Sequence, residues 1–539
     1  MNVLEIIEKF NSQRPDDVLK SVRAFFQLPI IPEYLPSEML MAACYRALGF
    51  GGMKDAWVSQ NGKALSKLFT TTNAGVECKP FSRDEVWKIL KDVLLSPEDP
   101  KQKRGQKYAD FLFLAPIVPA TAYFSNPVRL NRNTNAVGGT PWNVELLFKA
   151  LVSYSSVDME DSNKLWDAFF EAFTVQNDDR DDYFARIVED VLNKCAAAVV
   201  ASDQNAVGRF PEWKQQPNSI YGDGRYLINS KDRKVFSGIS PLDEIRSGLW
   251  LVLKQKRRFS RWQWLTVVDA QLRMSVVALV MWLLDLHHVV DTAIQKYVIE
   301  GQEITEEDPT QFFRDHYLSS HFENVFCYGE GFTKAQKLVV TRYAREHLKV
   351  SFFLSLVKEL APMEFGVTDW STVEGFVASL KALRGVFMEK ANRLLFEEGV
   401  VKMLDDRAAD LNPKKSRLKH ILEFFTVLRQ KSVVESQSDF IRYDQSYIVR
   451  KKANYSSAPF IVDIGSVACF TIVFCCANGR RVFAFKDLCQ YLEKYYISVR
   501  KAHRDQFINY LKGLSLTMDS PDAGDGLMIS NPFYEEEDR

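Results

Sequence analysis

The sequence predicts a mainly α-helical protein, in which an irregular multi-helix body precedes a small C-terminal α+β unit. Three observations support this prediction. Apolar residues recur every three or four positions in long stretches such as "SRDEVWKILKDVLL" and "TVEGFVASLKALRGVFMEK". Helix-start signals precede several of them, such as the acidic first turn after Ser82. After Pro459, short β-type runs alternate with helical segments.

Composition places few limits on the function. The 539 residues are enough for two to four domains. Lys and Arg total 69, as do Asp and Glu, so the formal net charge is zero. No global charge therefore indicates a nucleic acid or an acidic substrate, and any such surface must be local.

Changes in texture along the chain predict the domain organisation. "SPEDPKQKRGQK" is charged and contains proline, which is typical of a linker. A long polar segment from 201, punctuated by Gly and Pro, is expected to be irregular. The predicted units are an N-terminal helical domain at 1–98, a linker at 99–115, a central helical domain at 116–412 with a long irregular loop at 201–240, a basic helical connector at 413–458, the C-terminal unit at 459–534 and an acidic tail at 535–539.

A helical solenoid is the alternative for the body. The segment "EMLMAACYRALGFGGMKDAWVSQNGKALSKLF" resembles a tetratricopeptide-type helical hairpin, with small residues and a glycine turn between two helices. The motif does not recur at a fixed period, so the irregular helical body is favoured.

The cysteines and the apolar runs predict a cytoplasmic protein without a membrane partner. The eight cysteines include no C-x-x-C pair and several lie in apolar runs, which predicts reduced, buried thiols. Acidic residues near the N-terminus argue against a signal peptide. The apolar run at 274–284 is shorter than the roughly 20 residues of a membrane span. Arg273 and Asp285 flank this run, so we expect a buried core helix.

No cofactor, metal site or catalytic constellation is predicted. "GFGGMK" lacks the spacing of a phosphate loop, and "FPEWK" places its Glu and Lys in a polar loop rather than on a nuclease strand. His316 and His321 are five residues apart, which does not align two metal ligands on a helix. The alternative is an enzyme with an unrecognised site in the body, walled by 201–238 or by the loop that carries Arg129 and Arg132.

The C-terminal unit carries the most specific structural signal. "IGSVACFTIVFCCANG" predicts a helix that stops at Gly479. "RRVFAF" predicts a short strand, and "KDLCQYLEKYYI" and "AHRDQFINYLKGL" predict two further helices. "SPDAGDG" has the Pro and Gly residues of a hairpin tip between the strands "SLTMD" and "LMISNPF". This order of elements resembles that of the winged-helix domains, a helix-turn-helix superfamily, over about 75 residues.

The resemblance implies a candidate DNA-binding helix. In winged-helix domains that bind DNA, the second helix of the helix-turn-helix enters the major groove. Here Phe507, Tyr510 and Leu511 are expected to face inward. The residues that then face outward, or precede the helix where phosphates would lie, are Arg500, Lys501, His503, Arg504, Gln506, Asn509 and Lys512. The acidic hairpin tip, with three Asp between 519 and 525, would repel phosphates, so docking of a partner protein remains an alternative.

A basic segment precedes the C-terminal unit. Between 413 and 452, ten basic residues face four acidic ones. The candidates for DNA contact in it are Lys414, Lys415, Arg417, Lys419, Arg450, Lys451 and Lys452. Such an excess can bind a polyanion with salt-sensitive affinity, although charge runs are commonly solvated helix faces.

A second basic patch occurs in "KQKRRFSRWQW". Its basic residues, Lys254, Lys256, Arg257, Arg258 and Arg261, alternate with one Phe and two Trp. Basic residues with aromatics can hold single-stranded nucleic acid by charge and stacking. An amphipathic helix whose Trp residues pack into the core is favoured, since the apolar pattern continues directly after the patch.

The sequence thus predicts a non-enzymatic DNA-binding or scaffold subunit of a multi-protein DNA-handling or defence assembly. DNA and the other proteins of the assembly are the expected partners. A protein–protein adaptor and an enzyme with an unrecognised site are the two alternatives.

Overall fold

A computed structural model describes residues 24–28, 41, 44–45, 47–49, 144–174, 217–220, 230–320, 325–360, 369–387, 448–452, 457–518 and 526–534. Over these residues the fold is mainly α-helical with short strands, as the sequence predicts. The helices of the body are α1 Val144–Ser155, α2 Met159–Phe173, α3 Ser230–Phe236, α4 Leu242–Lys254, α5 Arg261–Ala293, α6 Pro309–Ser320, α7 Phe332–Thr341, α8 Leu348–Leu360 and α9 Val373–Phe387. Single π-helical turns extend α5 over Ile294–Ile299 and link α7 to α8 over Arg342–His347.

Helix α5 forms the centre of the core. All of its residues from 267 to 287 are buried, and α1, α4 and α6 pack around it. The buried core helix that the sequence predicts is therefore confirmed, although it is longer than the apolar run at 274–284. The continuous helical stretch Gln263–Ile299 is 37 residues long and contains an 18-residue window with a mean hydropathy of 1.7, which meets the length and composition of a membrane span. The 18-residue window that meets this criterion is entirely buried inside the protein.

The second basic patch, which the sequence predicts to be one amphipathic helix, spans the boundary between α4 and α5. The patch is not one amphipathic helix, because α4 ends at Lys254 and a 3-10 turn follows over Gln255–Arg258. Helix α5 restarts at Arg261 behind a capping box, in which Ser260 and Gln263 satisfy each other's backbone N–H groups. The sequence Ser-Arg-Trp-Gln carries this start signal.

The prediction of one long irregular loop at 201–240 is wrong near its C-terminal end, where helix α3 forms. Residues 230–236 of that segment are helical. The Asp232 carboxylate accepts the backbone N–H of Val373 at 3.0 Å. The Arg233 guanidinium donates to the carbonyl oxygens at the end of α1, including that of Ser155 at 2.8 Å. Asp232 and Arg233 are thus buried, and they attach α3 to α9 and α1.

The C-terminal unit contains α10 Ser466–Ala477, β4 Val482–Ala484, α11 Phe485–Lys494, β5 Ile497–Ser498, α12 Arg504–Gly513, β6 Thr517–Met518 and β7 Met528–Ser530. Strands β4, β7 and β6 form an antiparallel sheet in that spatial order. Helix α10 ends where Asn478 and Gly479 both have positive φ, at 45° and 81°, as the glycine stop predicts. The tip of the β6–β7 connection, at 519–525, lies outside the described residues.

Two further pairs of strands join the C-terminal unit to earlier parts of the chain. Strand β1, Phe326–Cys327, pairs in parallel with β5. Strand β2, Val449–Lys451, pairs antiparallel with β3, Phe460–Val462. The predicted helical connector at 413–458 is therefore wrong at 449–451, which form a strand. The sequence analysis did not predict β1 or β5, because a two-residue strand leaves no periodic pattern.

Helix α10 brings the C-terminal unit into the same core as the body. It packs against α4 and α5. The side-chain N–H of Gln271 on α5 donates to the hydroxyl of Tyr495 at 3.0 Å. The Cys475 thiol lies 3.6 Å from the side-chain oxygen of the same Gln271. Six cysteines in the described residues are free thiols, and five of these are buried, in agreement with the prediction of reduced, buried thiols.

Candidate functional site

Helix α12 is anchored by two apolar residues on its inner face. Phe507 and Leu511 are buried. The Phe507 ring packs against Tyr328 with centroids 4.8 Å apart, and against Phe485 at 6.1 Å. Tyr510 is half-buried beside them. The inward-facing residues therefore follow the helical period read from the sequence, and they fix which side of α12 meets solvent.

The outer face of α12 and the turn before it are polar and exposed. Apart from Arg500, five members of the predicted set are exposed: Lys501, Arg504, Gln506, Asn509 and Lys512. The acidic Asp505 is exposed on the same helix. The Arg504 guanidinium lies 5.4 Å from the centre of the Phe485 ring, which supports its stem while leaving its charged end in solvent. We call these five residues the α12 face.

The other two candidates of the helix, Arg500 and His503, are engaged with the body. The Arg500 guanidinium donates to the Glu330 carboxylate at 2.8 Å. The His503 ring lies against Gly329, and its Nδ1 is 3.4 Å from the side-chain oxygen of Gln506. These contacts close the N-terminal end of α12 against the segment that follows β1.

The C-terminal unit carries further exposed cations that the sequence analysis did not include. Arg481 and Lys486 are exposed on either side of β4. Arg480 caps α10 by donating to the carbonyl oxygen of Cys476 at 3.0 Å, and it also pairs with Asp487 at 3.3 Å. The described residues of 466–534 hold eight basic and three acidic residues. In the sequence, these cations were visible as the two arginines and the lysine of "RRVFAFK", Arg480, Arg481 and Lys486.

The basic connector is described only at its end. Lys414, Lys415, Arg417 and Lys419 lie outside the described residues. Arg450 forms an ion pair with Asp463 at 2.5 Å, Lys451 lies in β2, and Lys452 is exposed. A continuous basic surface from 413 to α12 therefore stays a prediction.

The second basic patch contributes mainly to packing. The predicted role of Arg261 in an exposed patch is wrong, because its side chain is buried and donates to the carbonyl oxygen of Phe173 and to the hydroxyl of Tyr45 at 3.1 Å. Trp264 is buried and donates to the carbonyl oxygen of Val252 at 2.9 Å. Lys256 is half-buried and donates to the carbonyl oxygen of Thr174 at 3.2 Å. Arg258 is half-buried, and only Lys254 and Arg257 of the patch are exposed.

A buried ionic network lies on the opposite, inner side of the C-terminal unit. The fully buried Asp285 carboxylate accepts a hydrogen bond from the Tyr496 hydroxyl at 2.8 Å and from Arg342 at 3.2 Å. Burial, and then the neighbouring Asp285 charge, raise the pKa of Tyr496, so the tyrosine remains a donor. Tyr496 has a φ of 62°, which aromatic residues rarely adopt. The network therefore ties the end of α11 to α5.

Several further titratable groups of the described residues are buried or hydrogen-bonded within the body and the C-terminal unit. Burial lowers the pKa of His287 to about 4, so its ring is neutral. His316 contacts the Tyr297 hydroxyl at 3.1 Å and the Phe312 carbonyl oxygen at 2.8 Å. Burial raises the pKa of the Cys469 thiol to about 12 and that of Cys489 to about 11, which disfavours the reactive thiolate. Within the described ranges, no group of three or more His, Cys, Asp or Glu could hold a metal ion.

Comparisons with known proteins add no functional assignment. No protein-family model matches the chain, and no curated protein matches it either. The α12 face is therefore the feature on which a functional proposal can be built.

Proposed function

We propose that this chain is a DNA-binding subunit of a multi-protein DNA-handling or defence assembly, and that it contacts duplex DNA through the α12 face. One observation carries the proposal. Helix α12 is held by buried Phe507 and Leu511, while its outer side presents exposed cationic and amide side chains. A rigid helix with such a face is the form in which proteins commonly enter the major groove.

The surroundings of α12 support a winged-helix interpretation of the C-terminal unit. Helix α10, strand β4, helices α11 and α12, and the paired strands β6 and β7 follow one another in the order of that superfamily. Strand β4 pairs with β7, which in turn pairs with β6, so one small antiparallel sheet includes the strands on both sides of α11 and α12 in the chain. In this interpretation α12 is the second helix of the helix-turn-helix, and the connection between β6 and β7 is the wing.

The residues of the α12 face divide into two kinds of contact. Lys501, Arg504 and Lys512 carry the charge that phosphates attract, and no carboxylate in the described residues forms an ion pair with them. Gln506 and Asn509 carry side-chain amides, which can donate to and accept from the edge of adenine in the major groove. The cations supply affinity and the amides supply sequence preference.

The body is assigned a scaffold role in this proposal. It shares its core with the C-terminal unit through α10, which packs on α4 and α5. DNA bound at the α12 face would therefore be held in a fixed orientation to the body and to any protein that the body carries. No catalytic step is proposed for the chain.

Binding of a fluorescent random-sequence duplex, followed by anisotropy at low salt, tests the proposal. A variant with Lys501, Arg504 and Lys512 changed to Ala is expected to bind at least about tenfold more weakly, because it loses up to three phosphate contacts. The matched control changes Lys234, Lys337 and Lys381, exposed lysines on α3, α7 and α9, to Ala and alters the net charge equally. Equal affinities for the two triple variants, or no binding by the wild-type protein, would reject the α12 face as a DNA site.

A protein-docking role is the second candidate, favoured by one exposed apolar residue. Met518 on β6 is 42% exposed, and it directly precedes the acidic segment 519–525. An apolar side chain beside acidic residues suits a partner with a basic, partly apolar surface. If the duplex does not bind, a partner captured by the wild-type protein and lost with Met518→Glu would support this role. A partner retained by Met518→Glu would argue against it.

A further inference from the structure

We propose that Glu330 of the body competes with DNA phosphate for Arg500, and thereby limits duplex binding at the N-terminal end of α12. The inference rests on the proposed function of the α12 face. Glu330 lies outside the C-terminal unit, 170 positions before Arg500 in the chain, and would regulate the DNA site from the body.

The competing groups have matching chemistry. The Glu330 carboxylate lies 2.8 Å from the Arg500 guanidinium, and the two side chains remain 28% and 44% exposed. A guanidinium binds carboxylate and phosphate oxygens with the same planar set of donors. Glu330 therefore occupies a position at Arg500 that a phosphate would otherwise take.

Backbone hydrogen bonds hold Glu330 in this position from two sides. The backbone N–H of Tyr328 donates to Ser498 at 2.9 Å, beside the β1–β5 pair. The backbone N–H of Gly329 donates to Val462 at 2.9 Å, and Val462 donates back to the carbonyl oxygen of Glu330 at 2.9 Å. Because the backbone of Glu330 is already fixed, forming the ion pair restricts only the side-chain rotamers. A carboxylate on a mobile loop would also have to lose backbone entropy.

Gly329 lets this segment approach α12 unusually closely. Its φ is 82°, and a Cβ at this position would lie 2.5 Å from the Nδ1 atom of His503. Glycine is thus required by both the backbone conformation and the close contact. The contact shields His503 on one side, so Gly329 and Glu330 together contact two of the three N-terminal candidates of the DNA site, His503 and Arg500.

The expected effect of this competition is modest and measurable. Exposed ion pairs contribute at most about 1 kcal/mol, so release of Arg500 should tighten duplex binding by up to about fivefold. The gain should be largest at low salt, where an additional phosphate contact contributes most. Glu330 also repels phosphate directly, so loss of its charge should tighten duplex binding for this reason as well.

Anisotropy titrations of the full-length protein with the random-sequence duplex test the inference. Glu330→Gln should bind about three- to fivefold more tightly than the wild-type protein at low salt. The control Asp487→Asn removes one negative charge and releases one arginine, Arg480, on the same unit. In an Arg500→Ala background, Glu330→Gln should lose most of its effect, because the arginine that it releases is absent.

The outcomes separate the inference from the proposed function. Suppose that the wild-type protein binds duplex and that neither Glu330→Gln nor Asp487→Asn binds more tightly than the wild-type protein. The role of Glu330 is then overturned, while the DNA site stands. A gain of equal size for both variants, or a gain that persists with Arg500→Ala, attributes the effect to net charge and also overturns it. If no variant binds duplex, the proposed function fails and the inference fails with it.

Discussion

Helices α5 and α12 use the same kinds of charged residue for opposite purposes. On α5, Asp269 and Arg273 are buried and form an ion pair at 2.9 Å, and Asp285 is fully buried with Tyr496 and Arg342 as donors. On α12, Arg504 and Lys512 are exposed. These buried charges of α5 are therefore bound to partners within the chain, whereas the charges of the α12 face remain in solvent.

The difference follows from the cost of removing a charge from water. A buried ion must be paired and hydrogen-bonded, since an unpaired one costs several kcal/mol. An exposed ion keeps its hydration, so folding places no demand on its partner. Changes on α5 should therefore affect stability, and changes on α12 should affect binding.

Asp285→Ala should cause the largest loss of stability, about 3–5 kcal/mol in the free energy of unfolding. It leaves the Arg342 guanidinium and the buried Tyr496 hydroxyl without their shared acceptor. Urea denaturation measures the loss, and Asp505→Ala on the exposed side of α12 is the matched control, expected to lie within about 0.5 kcal/mol of the wild-type protein. Similar values for the two variants would contradict the comparison.

Asp161→Asn tests a half-buried pair between these extremes. Asp161 accepts two hydrogen bonds from Arg246, at 2.6 and 2.7 Å. Burial opposes ionisation of Asp161, but the hydrogen bonds from Arg246 and from the backbone of Val157 outweigh it and hold its pKa below the ordinary 3.8. The variant should lose about 1–2 kcal/mol at pH 7.

The pH dependence of that loss has a definite sign. Because the folded protein lowers the pKa of Asp161, this stabilisation is fully present above the ordinary pKa of 3.8 and is lost as the pH falls through the folded value. Denaturation curves of wild-type protein and Asp161→Asn should converge once the pH falls below the lowered pKa of Asp161 in the folded protein. A difference that is independent of pH would show that packing rather than charge is responsible.

The smallest effect on stability is expected on the α12 face. The triple variant with Lys501, Arg504 and Lys512 changed to Ala should unfold within about 1 kcal/mol of the wild-type protein, because exposed side chains without ion pairs contribute little to folding. Thermal or urea denaturation provides the check. A loss comparable to that of Asp285→Ala would mean that these cations are structural, and would remove the contrast between the two helices.

The sequence was sufficient for the parts of α12 that depend on local periodicity. The spacing of Phe507 and Leu511 predicted the buried side, and with it the exposure of Gln506, Asn509 and Lys512. The pairing of Arg500 could not be predicted in this way, since its partner is Glu330, on a segment after β1. Contacts between distant segments leave no periodic signal.

Buried charges were the other source of error. Arg261 was interpreted as part of a solvated basic face because charged side chains usually are solvated, and Arg233 was placed in an irregular polar loop. In the structure, Arg261 bonds to the carbonyl oxygen at the end of α2, and Arg233 bonds to those at the end of α1. Carbonyl groups at helix ends need donors, and the sequence does not reveal which distant arginine supplies them.

If the α12 face binds duplex DNA, the affinity must depend on salt concentration in a way that its cations determine. The logarithm of the binding constant should fall linearly with the logarithm of the salt concentration, with a slope of about −0.9 for each phosphate contacted. Loss of Lys501, Arg504 and Lys512 together should reduce the steepness by about two to three, while the control lysine variant keeps the wild-type slope. Identical slopes for all three proteins, or an affinity that does not respond to salt, would contradict the claim.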